Sequence, residues 1–370
     1  MALFTDDQPD HQAPRRRGRR IGWLLLVIAV VGTLAFSLVP SPYLIERPGP
    51  VFNTLGTVTL DHGTVPMISI PTEETYPTRG TFDMLTVDLV GNREQPPNFF
   101  EVISAWFDPA RAVVPLDSVY PVGYTLQDST RDGAIEMANS QKDAIAAALT
   151  ELGYHLPSTV TVAGFSPKSP SAGILKNGDE ILDVNGSAVK DVPGLKAAIA
   201  TSGVGKPLSL AIRRAGQDQT VTVVPELSGG TASAPIIGIY PSVDYTLPFE
   251  VKIQLENVGG PSAGSMFALG IIDKLTPGAL NGGRKVAGTG TIDSDGTIGP
   301  IGGIRQKLYG AVGAGAKWFL APYANCNEVT GHVPSGLKVL AVRNLDDSLA
   351  ALKAISTGAG TGTLPTCPTN

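Results

Sequence analysis

The chain has 370 residues, with 28 lysines and arginines against 33 aspartates and glutamates, a net charge of −5. The first twenty residues hold five arginines and three aspartates, so the remainder carries −7, and nothing in that balance points to a nucleic-acid surface. The length allows two or three domains with ample core; 43 glycines and 30 prolines, about a fifth of the chain, fall short of a low-complexity composition and imply many turns.

In chain order, the first strong signal is Arg15-Arg16-Arg17-Gly18-Arg19-Arg20 followed by Ile21 to Val39, nineteen residues without a charge. As a helix this stretch is roughly 28 Å long at about 1.5 Å per residue, close to the hydrocarbon thickness of a bilayer. It reads as a transmembrane helix, 21–39, behind a basic cytoplasmic tail, 1–20, which leaves everything after Pro40 extracytoplasmic. A cleaved signal peptide is the competing reading, with Ala35-Phe36-Ser37 a weak small-x-small site. A buried core helix fits poorly behind an arginine cluster.

Residues 41–155 carry several short strand-like runs, among them Val65 to Ile70 and Met84 to Val90, and an amphipathic helix from Met137 to Leu152. They are expected to pack with the C-terminal domain. Asp117 and Asp128 invite a catalytic reading, but lone loop aspartates more often shape turns.

A second module occupies 157–227. Val160 to Ala163 forms a strand, then Ser169 to Gly186 gives a short helix, a turn and another strand; Val192 to Ala200 is helical, and Leu208 to Arg213 and Gln219 to Val224 complete a sheet. Gly-Ile-Leu-Lys-x-Gly-Asp-x-Ile-Leu-x-Val-Asn-Gly, at Gly173 to Gly186, resembles the core of a PDZ domain of the kind carried by bacterial envelope proteases. The resemblance implies a module that binds an extended peptide at a sheet edge, capturing a terminal carboxylate on backbone N–H groups. Leu152, Gly153 and Tyr154, just before the first strand, are the candidate capture loop, with a helix-ending glycine the alternative. Asp179 reads as a turn residue.

Phe249 to Glu256 then alternates apolar and polar side chains as a half-buried strand does. After Asn257-Val258-Gly259-Gly260-Pro261-Ser262-Ala263-Gly264, Met266, Leu269, Ile272 and Leu275 recur at helical spacing. Ser262 therefore sits at the start of a helix, either as an ordinary N-cap or as an exposed nucleophile beside N–H groups that can face an oxyanion. Thr289 to Lys307 follows as strand, Asp-Gly turn, strand, glycine turn and helix. On that helix Lys307 shares a face with Ile304, where it either snorkels outward or loses basicity by desolvation. A depressed lysine beside a serine hydroxyl is a Ser-Lys dyad.

These two motifs, Gly-Pro-Ser-Ala-Gly and Thr-Gly-Thr-Ile with Gly-Pro-Ile-Gly-Gly-Ile and Gln-Lys, resemble the proteolytic domain of Lon-type serine proteases across 236–355. The resemblance implies Ser262 as nucleophile, Lys307 as general base and Thr289 as the residue that hydrogen-bonds the lysine. Backbone at Gly260, Pro261, Ser262 and Ala263 would hold the oxyanion. ATP-dependent members have an aspartate where this chain has Gly260. No Walker-type Gly-x-x-x-x-Gly-Lys-[Ser/Thr] motif is present.

Lys317 to Ala321 and Leu337 to Val342 read as strands, and Asp346 opens a C-terminal helix before a flexible tail, 356–370. Cys326 and Cys367, the two cysteines, form either a disulfide or two buried thiols. Neither they nor His11, His62, His155 and His332 have metal-site spacing, and no cofactor or metal is expected.

The expected fold class is therefore a mixed α+β and α/β multidomain protein: a transmembrane helix, a small β-rich PDZ domain and a C-terminal Lon-like α/β domain. The expected function is an ATP-independent, membrane-anchored serine endopeptidase acting on unfolded or flexible protein and peptide substrates, with oligomerisation possible. A catalytically silent PDZ adaptor is the alternative from another class.

Overall fold

The structure, a computed structural model, describes residues 16–61, 63–121, 123–228 and 234–367. Most of the basic tail, His11 and His62 lie outside the described residues. The described chain divides into two compact units, the first drawn from residues 1–45 and 89–122, the second from 46–88 and 123–370.

In the first unit α1 (Arg16–Leu38) runs until Pro40 and Pro42, which cannot continue a helix. Its described run of side chains, 20–34, is exposed apart from half-buried Gly32 and spans roughly 22 Å at about 1.5 Å per residue. Among the described residues no helix is long and apolar enough to cross a membrane. A second helix, α2 (Phe99–Trp106), starts at Asn98, whose side chain and that of Glu101 close a reciprocal capping box. It buries Val102 and Ala105 against Ile45.

The second unit contains two sheets. The larger is built on β1 (Tyr43–Asn53) and β2 (Thr81–Val90), joined later in the chain by three short parallel strands. After β2 in sequence comes α3 (Leu126–Glu151), opened by a Thr125–Asp128 capping box. Asp128 is thus a helix-capping residue, while Asp117 pairs with Arg93 at the surface of the first unit.

The smaller sheet uses β3 (Ser158–Phe165), β4 (Glu180–Val184), β5 (Leu208–Arg214), β6 (Gln217–Val223) and β7 (Ile239–Tyr245), in the order β6-β5-β4-β3-β7, with α4 (Val192–Ser202) closing its core. Val160, Val162, Ile181, Leu208, Leu210, Ile212 and Val243 meet Leu195 and Ile199 there. Two features differ from the sequence expectation. Ser169 to Ala172 forms turns in place of a short helix. The sheet also takes its last strand, β7, from beyond 157–227, paired antiparallel with β3 from Ile239↔Phe165 to Tyr245↔Ser158.

Asp179 is more than a turn residue. Its carboxylate, 1% exposed, accepts two bonds from Arg214 at 2.7 and 2.6 Å and one from the Lys176 N–H at 2.8 Å. The Arg214 side chain holds the carboxyl below its ordinary range. Arg214→Ala leaves a buried charge with one backbone donor, and is expected to destabilise this module by on the order of 2–3 kcal/mol, read as a lowered urea midpoint.

The larger sheet is completed by β8 (Lys285–Gly288), β11 (Trp318–Pro322) and β12 (Lys338–Val342); between the first two lie the β9 (Thr291–Ile292) and β10 (Ile298–Gly299) hairpin and α6 (Ile304–Gly313). Within the second unit the order is β12-β11-β8-β2-β1, with parallel pairing from β12 through β2. Strand alternation sorts the side chains onto two faces. Met84, Val286, Leu320 and Leu340 meet α5 (Gly264–Leu275), α3 and α7 (Leu345–Thr357). Leu85, Ala287, Phe319 and Ala341 meet Ile304, Leu308 and Ala311 of α6.

Phe249 to Glu256 keeps its burial alternation, with Val251 buried and Glu250 and Lys252 exposed, yet only Lys252–Ile253 pairs, with Ile68–Ser69. Beyond that pair the Gln254 N–H donates to the Met67 carbonyl at 2.8 Å. The described part of the expected flexible tail 356–370, residues 356–367, departs from that expectation. Cys367 is disulfide-bonded to Cys326, and the Ala341 N–H donates to the Pro365 carbonyl at 2.9 Å, which pins the described end of the chain to β12.

Candidate active site

Ser262 lies in the turn immediately before α5, two residues ahead of its first helical position. Gly260 has φ +85°, a conformation costly for any residue with a Cβ, which accounts for glycine at that position. Gly264 allows close approach: a Cβ there would sit 2.7 Å from Ile292 Cγ2. The Ser262 carbonyl accepts from the Gly290 N–H at 2.9 Å and from Thr289 Oγ1 at 2.8 Å, and the Ser265 N–H donates to the Gly290 carbonyl at 3.1 Å. The turn that carries Ser262 is thereby clamped to the strand leaving β8.

Lys307 approaches from α6. Its neighbours Ile304, Leu308 and Ala311 are buried, and Lys307 itself is 2% exposed. Nζ lies 2.7 Å from Ser262 Oγ and donates to Thr289 Oγ1 at 3.0 Å. Because the Thr289 hydroxyl proton is committed to the Ser262 carbonyl, that oxygen can only accept from the amine. The neutral amine is then oriented with one N–H on Thr289 and its lone pair free for the Ser262 hydroxyl proton. Burial strips water from the ammonium form and lowers the Lys307 pKa to about 7. The structure thus brings Ser262, Lys307 and Thr289 within hydrogen-bond reach of one another.

They open on a cleft of about 560 Å³, with Phe52, Met84, Met137 and Val258 as apolar lining and Thr86 to Asp88 of β2 along one wall. None of these seven positions belongs to the Gly-Pro-Ser-Ala-Gly or Thr-Gly-Thr-Ile motifs, so motif spacing alone does not single them out.

The oxyanion backbone differs from expectation. Gly260 already donates its N–H to the Gly133 carbonyl of α3 at 2.9 Å, and Pro261 has no N–H to give. The N–H groups of Ser262 and Ala263 have no acceptor among the described residues. Of the expected Gly260, Pro261, Ser262 and Ala263, Ser262 and Ala263 have free donors among the described residues, and Gly260 and Pro261 do not.

Leu152, Gly153 and Tyr154 are not a capture loop. Their three N–H groups close the end of α3 on the carbonyls of Ala148, Thr150 and Leu149, and Tyr154 packs edge-on against Phe249, ring centroids 5.4 Å apart. Gly153, φ +90°, is the helix-ending glycine.

Comparison with known proteins agrees with this geometry in two segments. Residues 257–354 match the C-terminal proteolytic domain of Lon protease (S16), and residues 127–224 match a PDZ domain. Lon protease 2 of Herpetosiphon aurantiacus is 41% identical over 93 residues, covering 24% of this chain and 11% of that protein. The Lon protease of Azospirillum brasilense is 38% identical over 93 residues, again 24% of this chain and 11% of its own length. A solved PDZ domain of an SdrC-like protein from Listeria innocua aligns at 23% identity with a TM-score of 0.21, covering 22% of this chain and 92% of that one. The chain therefore spans about a tenth of the length of the first two curated relatives. It carries a Lon-type serine-peptidase domain together with a PDZ domain.

Proposed function

We propose that this chain is an ATP-independent serine endopeptidase, held at a membrane by α1, that cleaves unfolded or flexible polypeptides with a Ser262–Lys307 dyad. The observation that carries the reading is the buried Nζ of Lys307, 2.7 Å from Ser262 Oγ, with a pKa near 7. A lysine pairing with substrate or with a carboxylate has no need of a hydroxyl partner or of a site that discharges it.

In this mechanism Ser262 Oγ attacks the scissile carbonyl while its proton passes to Lys307 Nζ. The oxyanion accepts from the N–H groups of Ser262 and Ala263, and the departing amine takes the proton back from Lys307. Water, deprotonated by the same amine, then releases the acyl group. Thr289 keeps the amine oriented through both steps. The PDZ domain selects substrate segments, and without an unfoldase module in this chain the cleft takes loops and tails. The scaffold alternative is disfavoured by a dyad in bonding distance, since a silent site gains nothing from a desolvated lysine. Cleavage of an unstructured peptide by the purified protein, lost in Ser262→Ala with the fold intact, is the expected outcome; equal cleavage by the variant would overturn the reading.

Anchoring rests on the uncharged span behind the arginine cluster and on the exposed apolar side chains of α1, among them Trp23, Leu24, Leu25 and Ile28. In intact cells a C-terminal tag is expected to be reached by added protease, and the chain to sediment with membranes. A soluble main species with a new N-terminus near Ser37 would replace the anchor by a cleaved signal peptide.

A further inference from the structure

The segment that matches the Lon proteolytic domain begins at Asn257, yet the turn bearing Ser262 is held from elsewhere in the chain. Ser140, 4% exposed on α3, donates its hydroxyl to the carbonyl of Pro261 at 2.9 Å. On the same helical face, two turns earlier, the Gly133 carbonyl accepts the Gly260 N–H at 2.9 Å. The approach there is backbone to backbone: a Cβ on Gly259 would lie 3.3 Å from the Gly133 Cα. The two residues that precede the nucleophile are therefore each tied to α3. On another face the same helix grips the edge strand of the smaller sheet. Asn139 donates to the Pro241 carbonyl at 2.7 Å, and Lys142 pairs with Asp244 at 2.5 Å.

We propose that α3 is the positioning helix of the active site and that Ser140 is its positioning residue, acting through the Pro261 carbonyl on the placement of Ser262. This rests on the peptidase reading above. The Pro261–Ser262 peptide plane carries the Ser262 N–H, one of the two free donors facing no acceptor in the described structure. Because that peptide unit is rigid, a hydrogen bond that fixes its carbonyl also fixes the direction of its N–H. Ser140 therefore sets the aim of an oxyanion donor as well as the position of the nucleophile. The donor that competes for this carbonyl is weak: the Gly264 N–H reaches it at 3.5 Å. The assignment also explains a hydroxyl on a buried helix face that it shares with Met137, Ala144, Ala147 and Ala148.

The test uses the full chain and a fluorogenic peptide across a pH series. Ser140→Ala is expected to lower kcat about tenfold, which is ~1.4 kcal/mol, with KM within about twofold and the midpoint of the pH–rate curve unchanged. Ala147→Gly, buried on the same helix but away from the nucleophile turn, is the control. It should lower the thermal midpoint at least as far as Ser140→Ala while leaving kcat, measured well below that midpoint, at the wild-type value. An unchanged kcat in Ser140→Ala would overturn the proposal, as would a kcat loss in Ala147→Gly of equal size, which would reduce Ser140 to a contributor to stability. Wild-type cleavage that survives in Ser262→Ala would remove the peptidase reading itself, a separate failure.

Discussion

Lys307→Arg is expected to leave no measurable peptide cleavage, a loss of at least roughly a thousandfold, while the wild-type rate rises with pH through a midpoint near 7. An ordinary lysine titrates near pH 10.4, so only about 0.1% of it is neutral at pH 7.5. With the pKa brought to about 7 by burial, most of Lys307 is a free base at that pH, which raises the competent fraction by several hundredfold. Guanidinium cannot release a proton anywhere in this range, so arginine keeps the charge and loses the base. The measurement is kcat/KM from pH 5 to 10 for both proteins. An active arginine variant would assign Lys307 to substrate binding and leave Ser262 to be activated by another group.

The second large effect concerns stability and runs opposite to activity. Lys307 is buried among Ile304, Leu308 and Ala311, and its folded pKa lies below its unfolded value of about 10.5. Between pH 10.5 and 7 the unfolded chain holds a proton that the folded chain lacks, so this group makes stability fall as the pH falls through that window. Below about pH 7 both states are protonated, the folded state carries a buried ammonium, and the penalty is constant. The difference across the window is on the order of 4 kcal/mol. Lys307→Met fills the same space without the charge. It should therefore be inactive, similar to wild type in urea midpoint near pH 10, and more stable by several kcal/mol at pH 6. Comparing the two proteins cancels the other groups that titrate in this range. A variant whose advantage did not grow on acidification would mean that the amine is solvated.

Much of this arrangement is legible in the residues themselves. The helix of Met266, Leu269 and Ile272, the Asp-Gly hairpin of β9 and β10, and the face shared by Ile304 and Lys307 are local patterns, so spacing alone locates them. Tertiary partners are another matter. Nothing near Gly260 announces that its N–H is taken, because the acceptor is the Gly133 carbonyl in a stretch without a motif. The signal that was available is Gly133 itself, an isolated glycine inside a helix, which marks close backbone approach. Ser140 reads as an ordinary helix residue until Pro261 arrives from 121 residues away. Leu152, Gly153 and Tyr154 misled for a related reason: a glycine before a strand looks the same in sequence whether its neighbours' N–H groups are free or closing a helix. The edge strand β7 was hidden by the excursion of the chain after Leu227, which separates it from the sheet it completes.

Ser262, made nucleophilic by Lys307, is expected to form a covalent acyl intermediate. The most direct measurement is intact and peptide mass spectrometry after exposure to a serine-directed phosphonate at pH 8, with residual activity followed in parallel. A single adduct localised to Ser262, formed in step with loss of peptide cleavage and absent from Lys307→Arg, is the result this account predicts. Full loss of activity with the adduct on another residue, or complete modification of Ser262 with activity retained, would contradict it.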